Sequence, residues 1–421
     1  MGITTRDKEQ VVIPSDWTIV PIGEMITDIA DGPFGSNLKS EHYTEEREAR
    51  IVQLSNIGED GWKEENTKYT TFEHAKKIER SIVKSGEVIM AKMMPAGRSI
   101  ICPSKEKMYV LSSDAVRLRL NKNVVNTDYF IYATKSQFFL KQIGDDIQGS
   151  TRARTSITKI KKNTLLLPEL NEQEAIASVL SVIDKLISTL EKEIEKKKNI
   201  KYGTLQKLVT GEERLNGYTD EWVSINMAKK SKLKARIGWQ GLTTAEYLDS
   251  GYSYLVTGTD FVDGHINWDC CHFVTADRYY QDPNIQLTNG DVLITKDGTI
   301  GKVALVDNLS KPATLNSGVF VVRPINHAYS ARFLYYVLES RVFRDFLDML
   351  SAGSTIVHLY QKDLVNFSFM APNTIKEQEA IADIIYDLDC EVRKLEEKFR
   401  KYQKIKQGMM SDLLTGKIRL V

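Results

Sequence analysis

The sequence predicts an α/β (α+β) chain of two globular domains, related by an approximate two-fold axis and separated by a long antiparallel two-helix coiled coil. Three observations predict it. EQEAIASVLSVIDKL from Glu172 is nearly rewritten as EQEAIADIIYDLDCE from Glu377. Each copy continues as a heptad stripe, and each is preceded by short β-branched runs bounded by Gly, Asn, Asp or Ser.

Residues 171–215 and 376–420 align without a gap at an offset of 205, with 18 identities in 45 positions. The repeat continues upstream more faintly. Trp17 matches Trp222, KSGEVIMAK (84–92) matches TNGDVLITK (288–296), DYFIYA (128–133) matches RFLYYV (332–337), and GSTRARTSITKI (149–160) matches GSTIVHLYQKDL (353–364). The chain is therefore one unit written twice. The boundaries expected are a first globular domain at 1–168, a first helical repeat at 169–215, a second globular domain at 216–373 and a second helical repeat at 374–421.

In the first tail Ile176, Leu180, Ile183, Ile187, Leu190 and Ile194 alternate spacings of four and three; in the second, Ile381, Ile385, Leu388, Val392, Leu395, Phe399 and Tyr402 do the same. That is an a/d seam, with Lys, Glu and Arg between its members. Pro168 and Pro372 stand just upstream, where a helix can begin, and Gly211 and Gly416 stand where one ends. With the opening Glu172, Gln173, Glu377 and Gln378, these residues form the expected coiled coil and partner dock. An ordinary helix packed on its own domain is the alternative for any such stripe. Orientation follows from connectivity: parallel helices would oblige the second globular domain to bridge roughly 57 Å, the length of ~38 helical residues, against a radius of gyration near ~15 Å. Antiparallel pairing removes that demand.

Ahead of the tails, GEVIMA, DAVRLRL, GDVLIT, KVALV and GVFVVRP read as strands, and TDYFIYATKSQFFLKQI and SARFLYYVLESRVFRDFL as amphipathic helices.

Composition narrows the class. Fifty-seven Lys and Arg against 56 Asp and Glu leave a formal charge of +1, so no global field favours a polyanion. Locally, GSTRARTSITKIKK (149–162) and KKSKLKAR (229–236) carry five cations each and no acid. A charge run by itself is commonly a solvated face. No long uncharged apolar run is present, and Arg6, Asp7, Lys8 and Glu9 occupy the place of a signal-peptide core, so the expected location is the cytoplasm. Cys102, Cys270, Cys271 and Cys390 show no C-x-x-C spacing. A site from His265, Cys270, Cys271 and His272 is disfavoured, because adjacent side chains of a strand point to opposite faces.

Catalytic signatures are missing. There is no Gly-rich cofactor loop paired with an Asn/Asp-Pro-Pro-Tyr/Phe turn, and GTIGK (298–302) is too short between its glycines for a P-loop. Glu396-Glu397-Lys398 has the spelling of a nuclease motif but falls in the heptad region. What recurs instead is a pair of Gly-rich loops in each half. DGPFGSNLK (31–39) stands where RIGWQGL (236–242) does, and AKMMPAGRS (91–99) where TKDGTIGKV (295–303) does. Glycine turns let amides approach phosphates, Lys and Arg neutralise them, and Arg, Gln or His can bond base edges. The candidates for DNA contact are Lys39, Lys92, Arg98, Arg152, Arg154 and Lys159 in the first half. In the second they are Lys232, Lys234, Arg236, Gln240, Lys296, Lys302, His358, Gln361 and Lys362. Of these, His358 and Gln361 are the candidates for base edges.

The doubled EQEAIA helix closing in L-x-T-G, with GDVLITKDGTIGK and GSTIVHLYQKDL before the second copy, resembles the specificity subunit of type I restriction–modification systems. The likeness spans essentially the whole chain, although the first half departs from the GDVLITKDGTIG stretch with GEVIMAKMMPAG. It implies a non-catalytic protein with two target-recognition domains, each reading half of a split DNA sequence, and helices serving as ruler and dock. The partners implied are double-stranded DNA, two adenine-N6 methyltransferase subunits and ATP-dependent restriction subunits. No cofactor is expected in this chain; S-adenosylmethionine, ATP and magnesium would belong to those partners. A coiled-coil scaffold whose two lobes bind proteins is the alternative, and an enzyme with an unrecognised site is a third reading.

Overall fold

The structure, a computed structural model, describes residues 13–147, 154–351 and 358–420. Its compact units do not follow chain order. One comprises Met1–Leu190 with Lys398–Val421, the other Glu191–Glu397. The two long helices, Leu170–Thr210 and Ile375–Leu413, are thus each divided between the units.

In the first unit, strands Ile26–Asp31, Ala115–Leu120, Val88–Ala91 and Ser99–Ile101 form an antiparallel sheet in that order. A second sheet of five short strands contains the parallel pair Ala49–Val52 and Tyr109–Leu111. Strand Thr18–Pro21 pairs with Thr164–Leu167 beneath the first helix. The second unit repeats the plan. Ser231–Lys234, Val319–Pro324, Val292–Thr295 and Val303–Leu305 run antiparallel, extended by His265–Ile266 and Phe261–Val262. Ser253–Val256 lies parallel to Ala313–Leu315, and Trp222–Asn226 pairs with Ser368–Pro372. The runs GEVIMA, DAVRLRL, GDVLIT, KVALV and GVFVVRP are strands because their residues are buried on both faces, which β-branched chains fill well.

Helix pairing is antiparallel within each unit. In the second, Lys198 meets Glu396 at 2.7 Å, and three residues further along Lys201 meets Asp389, seven residues back on the other helix. In the first, Glu172 meets Arg419 at 2.7 Å and Asp184 meets Lys406 at 2.8 Å. The partners again run in opposite directions. The two Lys–Asp pairs are the same pair in the two copies, and each Asp also accepts a tyrosine hydroxyl, Tyr132 at 2.7 Å and Tyr336 at 3.1 Å.

Each core takes in the start of one long helix and the end of the other. Ile176, Ala177 and Leu180 are buried with Trp17, Tyr129, Phe130, Leu413 and Leu414; Ile381, Ala382 and Ile385 are buried with Phe333, Tyr336, Leu205, Leu208 and Val209. Ile183, Leu190 and Val392 are buried too, whereas Ile187, Leu388 and Leu395 are half-buried. The heptad stripe is therefore seam in its middle and domain core at its ends, since two helices alone leave one flank of an a/d stripe open.

The opening Glu-Gln of each copy corrects the expectation of a partner dock. Glu172, Gln173, Glu377 and Gln378 are all at most 3% exposed. Glu172 accepts from Trp17 Nε1 at 3.1 Å and, through both oxygens, from Arg419 at 2.7 and 2.8 Å. Glu377 is bonded by Arg214 at 2.9 and 3.0 Å. Gln173 Oε1 accepts the N–H of Asn126 at 2.8 Å, and Gln378 Oε1 that of Ser330 at 2.8 Å, holding the caps of helices Thr127–Ala133 and Ala331–Glu339. These four residues face inward, and any dock must use the outer helix face.

The closing T-G is equally explicit. Gly211 and Gly416 adopt φ of +73° and +72°, the left-handed end that glycine permits. The N–H of Glu213 returns to Lys207 O at 3.2 Å and that of Ile418 to Asp412 O at 3.2 Å, so the chain folds back and delivers Arg214 and Arg419 to their glutamates. Among the described residues no helix is long and apolar enough to cross a membrane.

Candidate nucleic-acid interface

The recurrent loops lie on one backbone frame used twice. Strand Val88–Ala91 ends at Lys92, whose N–H donates to Asp114 O at 2.8 Å and whose carbonyl accepts from Thr155 N at 2.9 Å. Strand Val292–Thr295 ends at Lys296, whose N–H donates to Gly318 O at 2.9 Å and whose carbonyl accepts from Leu359 N at 2.9 Å. Corresponding residues stand 204 apart. The following hairpins also match. Ala91 N–H reaches Arg98 O at 2.8 Å and Gly97 N–H reaches Ala91 O at 2.9 Å; Thr295 N–H reaches Lys302 O and Gly301 N–H reaches Thr295 O, both at 2.9 Å. GEVIMAKMMPAG thus keeps the geometry of GDVLITKDGTIG, with glycine where φ is +84° and +77°.

In the first unit this frame borders a cleft of about 910 Å³, lined by the loop Asp31–Gly35, Asn37, Lys77, Arg80, Lys92 and Arg154. Lys92 is 5% exposed and its ammonium is paired with Asp31. Arg154 donates to Ser113 O at 2.6 Å and stays half in solvent. The loop is held at Gly32, whose N–H donates to Ala115 O at 3.1 Å. A Cβ there would stand 1.7 Å from Ser112 O, so Gly32→Ala is expected to displace the loop and cost about 1–3 kcal/mol. Thermal unfolding checks this, and an unchanged midpoint would refute the close approach.

The second unit has the matching cleft, about 440 Å³, lined by Lys234, Arg236, Asp282, Asn284, Lys296, Tyr360 and Gln361. Lys232 and Lys234 point outward because alternate residues of strand Ser231–Lys234 face solvent. The Lys296 ammonium lies 5.5 Å from the Phe320 ring centre and the Lys362 ammonium 5.2 Å from that of Tyr360. His358 Nδ1 lies 2.6 Å from Asp297 Oδ1 at the exposed rim. Gln361 is exposed at the start of helix Gln361–Leu364.

Several candidates are placed differently from the expectation of open contacts. Arg236 is 2% exposed, its Nε donating to Leu315 O at 2.8 Å and its Nη2 to Thr314 Oγ1 at 3.2 Å; it ties the loop to a strand end. Burial, reinforced by nearby Arg278, pulls its pKa below the usual arginine value. Lys92 and Gln240 are likewise buried and cannot meet a duplex as placed. Lys159 donates to Asp146 O, and Lys39 lies 3.5 Å from Glu41. Arg98 is half-buried, with its Nε enclosed. Lys302 lines a different hollow with Asp263, Glu339 and Arg344, because the hairpin carries it to the far side of Lys296. Arg152 lies outside the described residues. The sequence candidates did not include Lys77 and Arg80, which line the first cleft, or Tyr360, which lines the second and is 54% exposed.

The comparisons with known proteins agree with this doubled plan. A family model, the type I restriction modification DNA specificity domain, matches residues 14–201 and again 210–407. The chain is 25% identical over 434 residues to the type I restriction enzyme MjaVIII specificity subunit of Methanocaldococcus jannaschii, covering 97% of this chain and 94% of that protein. It is 23% identical to the putative MjaX specificity subunit of the same organism, over 97% and 95%. In fold it resembles the solved type-I restriction-modification S subunit from M. genitalium, with a TM-score of 0.62 and 17% identity over 98% and 99% of the chains. A chain from a study of complex assembly in the type I R-M system gives a TM-score of 0.56 and 16% identity over 96% and 99%. With both halves matched separately and nearly end to end, this chain belongs to the type I restriction–modification DNA specificity family.

Proposed function

We propose that this chain reads a bipartite duplex sequence, one half-site by each globular domain, and directs the methyltransferase and restriction subunits of a type I restriction–modification complex without catalysing a reaction itself. The observation that carries this reading is the repeated backbone frame with unlike side chains: one scaffold, written twice, presenting Lys77, Arg80 and Arg154 in one copy and Lys234, Lys296 and Gln361 in the other. Identical scaffolds with different rims suit two readers of different sequences. Two methyltransferase subunits are the proposed helix-face partners, because the tail is written twice. S-adenosylmethionine, ATP and magnesium bind those partners, and a DNA ligand puts the chain in the cytoplasm.

Half-sites read in successive major grooves stand about 34–36 Å apart. The long helices are the proposed ruler, so adding one turn to both is expected to lengthen the unread spacer and leave both half-sites unchanged. The test is methylation mapping of DNA from cells carrying the chain with its partner subunits. A split motif is expected, and exchange of residues 216–373 for those of a relative changes one half only; a single contiguous motif, or change in both halves, would end the reading. Lys234→Ala and Lys296→Ala are each expected to reduce the slope of log affinity against log salt by about one, uniformly across sequences.

A further inference from the structure

Phe34 is 83% exposed, more than any other large apolar side chain among the described residues. It is not at a loose end. Gly32 is held two residues before it by Ala115 O, and its own carbonyl accepts the N–H of Asn37 at 2.8 Å, so a closed turn presents the ring at the lip of the first cleft. Lys77, Arg80 and Arg154 share that lip.

An exposed ring gains little from phosphate or water, but it gains a great deal from the face of a base. Aromatic or apolar side chains flanked by cations are the combination by which proteins track a nucleic-acid backbone and unstack or cover its bases. Resting on the function proposed above, we propose that Phe34 is a wedge that packs against one base step of the first half-site and partly unstacks it. The cations set the backbone beside the lip; the ring then tests how readily that step opens, which is a form of sequence reading without hydrogen bonds to base edges.

The test uses the full chain assembled with its methyltransferase subunits and a duplex carrying the mapped motif, with 2-aminopurine placed at one position at a time. Fluorescence is expected to rise at one step of the first half-site. Phe34→Ala is expected to abolish that rise and weaken binding roughly tenfold with the salt slope unchanged, while Phe34→Trp retains both. Because Phe34 is exposed, thermal unfolding of the alanine variant should match the parent. An unchanged fluorescence rise and affinity in Phe34→Ala would overturn the proposal. So would release of the methyltransferase subunits by that variant in sedimentation, which would mark the ring as a protein contact. In both cases sequence-specific binding by the parent still stands. A parent complex that fails to prefer the mapped duplex over a scrambled one overturns the wedge and the underlying reading together.

Discussion

Leu413→Ala is expected to destabilise the first unit by about 2–5 kcal/mol, although the substitution lies near the end of the chain and most of that unit lies near its beginning. Leu413 is 4% exposed and sits in the core of Trp17, Tyr129, Phe130 and Leu180. Alanine there leaves a cavity that a sheet and a helix end cannot close. The matching Leu208→Ala removes a side chain 4% exposed from the core of Phe333, Tyr336 and Ile381, and is expected to act on the other unit by a similar amount. Hydrogen exchange separates the two. Leu413→Ala should speed exchange in strand Ala115–Leu120, and Leu208→Ala in strand Val319–Pro324. Equal effects of both variants on both strands would mean that the cores are not divided as described.

The second large effect is electrostatic. Glu377 is fully buried and takes two hydrogen bonds from Arg214, whose guanidinium also lies 5.7 Å from the Trp222 ring centre. Glu377→Ala strands that cation beside an apolar ring, and a loss of about 3 kcal/mol is expected, reduced somewhat because Arg214 can turn toward solvent. Adding Arg214→Ala should recover part of the loss, since the pair costs most when only one member is removed. Denaturant unfolding measures both, and strictly additive losses would rule out the coupling.

The matching Glu172 makes the same design titratable. Arg419 holds its carboxyl below the usual glutamate value of about 4.3, against the opposing effect of burial and with help from Trp17. A carboxylate with a lowered folded-state pKa contributes stability that is complete above the unfolded value and lost as pH falls through the folded one. Acid destabilisation of the first unit is therefore expected to begin below about pH 4.3. Glu172→Gln should lower stability at neutral pH and flatten that acid limb; a limb of unchanged steepness would show that other carboxylates govern it.

The internal offset made much of this visible in advance. A 205-residue repeat, heptad spacing, upstream prolines and closing glycines are local or self-referential signals, and they placed both long helices, their ends and their opposed directions. The strands followed from short β-branched runs for the same reason. Side-chain roles were less legible. Lys92, Arg236 and Gln240 have the composition of a binding loop, yet they are buried because strand ends and a neighbouring carboxylate close over them. Nothing in a one-dimensional pattern distinguishes an arginine aimed at solvent from one aimed at a carbonyl.

By itself, then, the sequence determined that one α/β unit is used twice and that its helical tails run antiparallel, since repetition and periodicity are properties of order along the chain. Only the tertiary structure decided which residues share a core. It joined the end of each tail to the beginning of the other, turned the repeated Glu-Gln inward, and set Lys92 and Lys296 on equivalent frames with unlike surroundings. Burial and pairing depend on what packs from distant positions, and that is settled by three-dimensional closure of the cores.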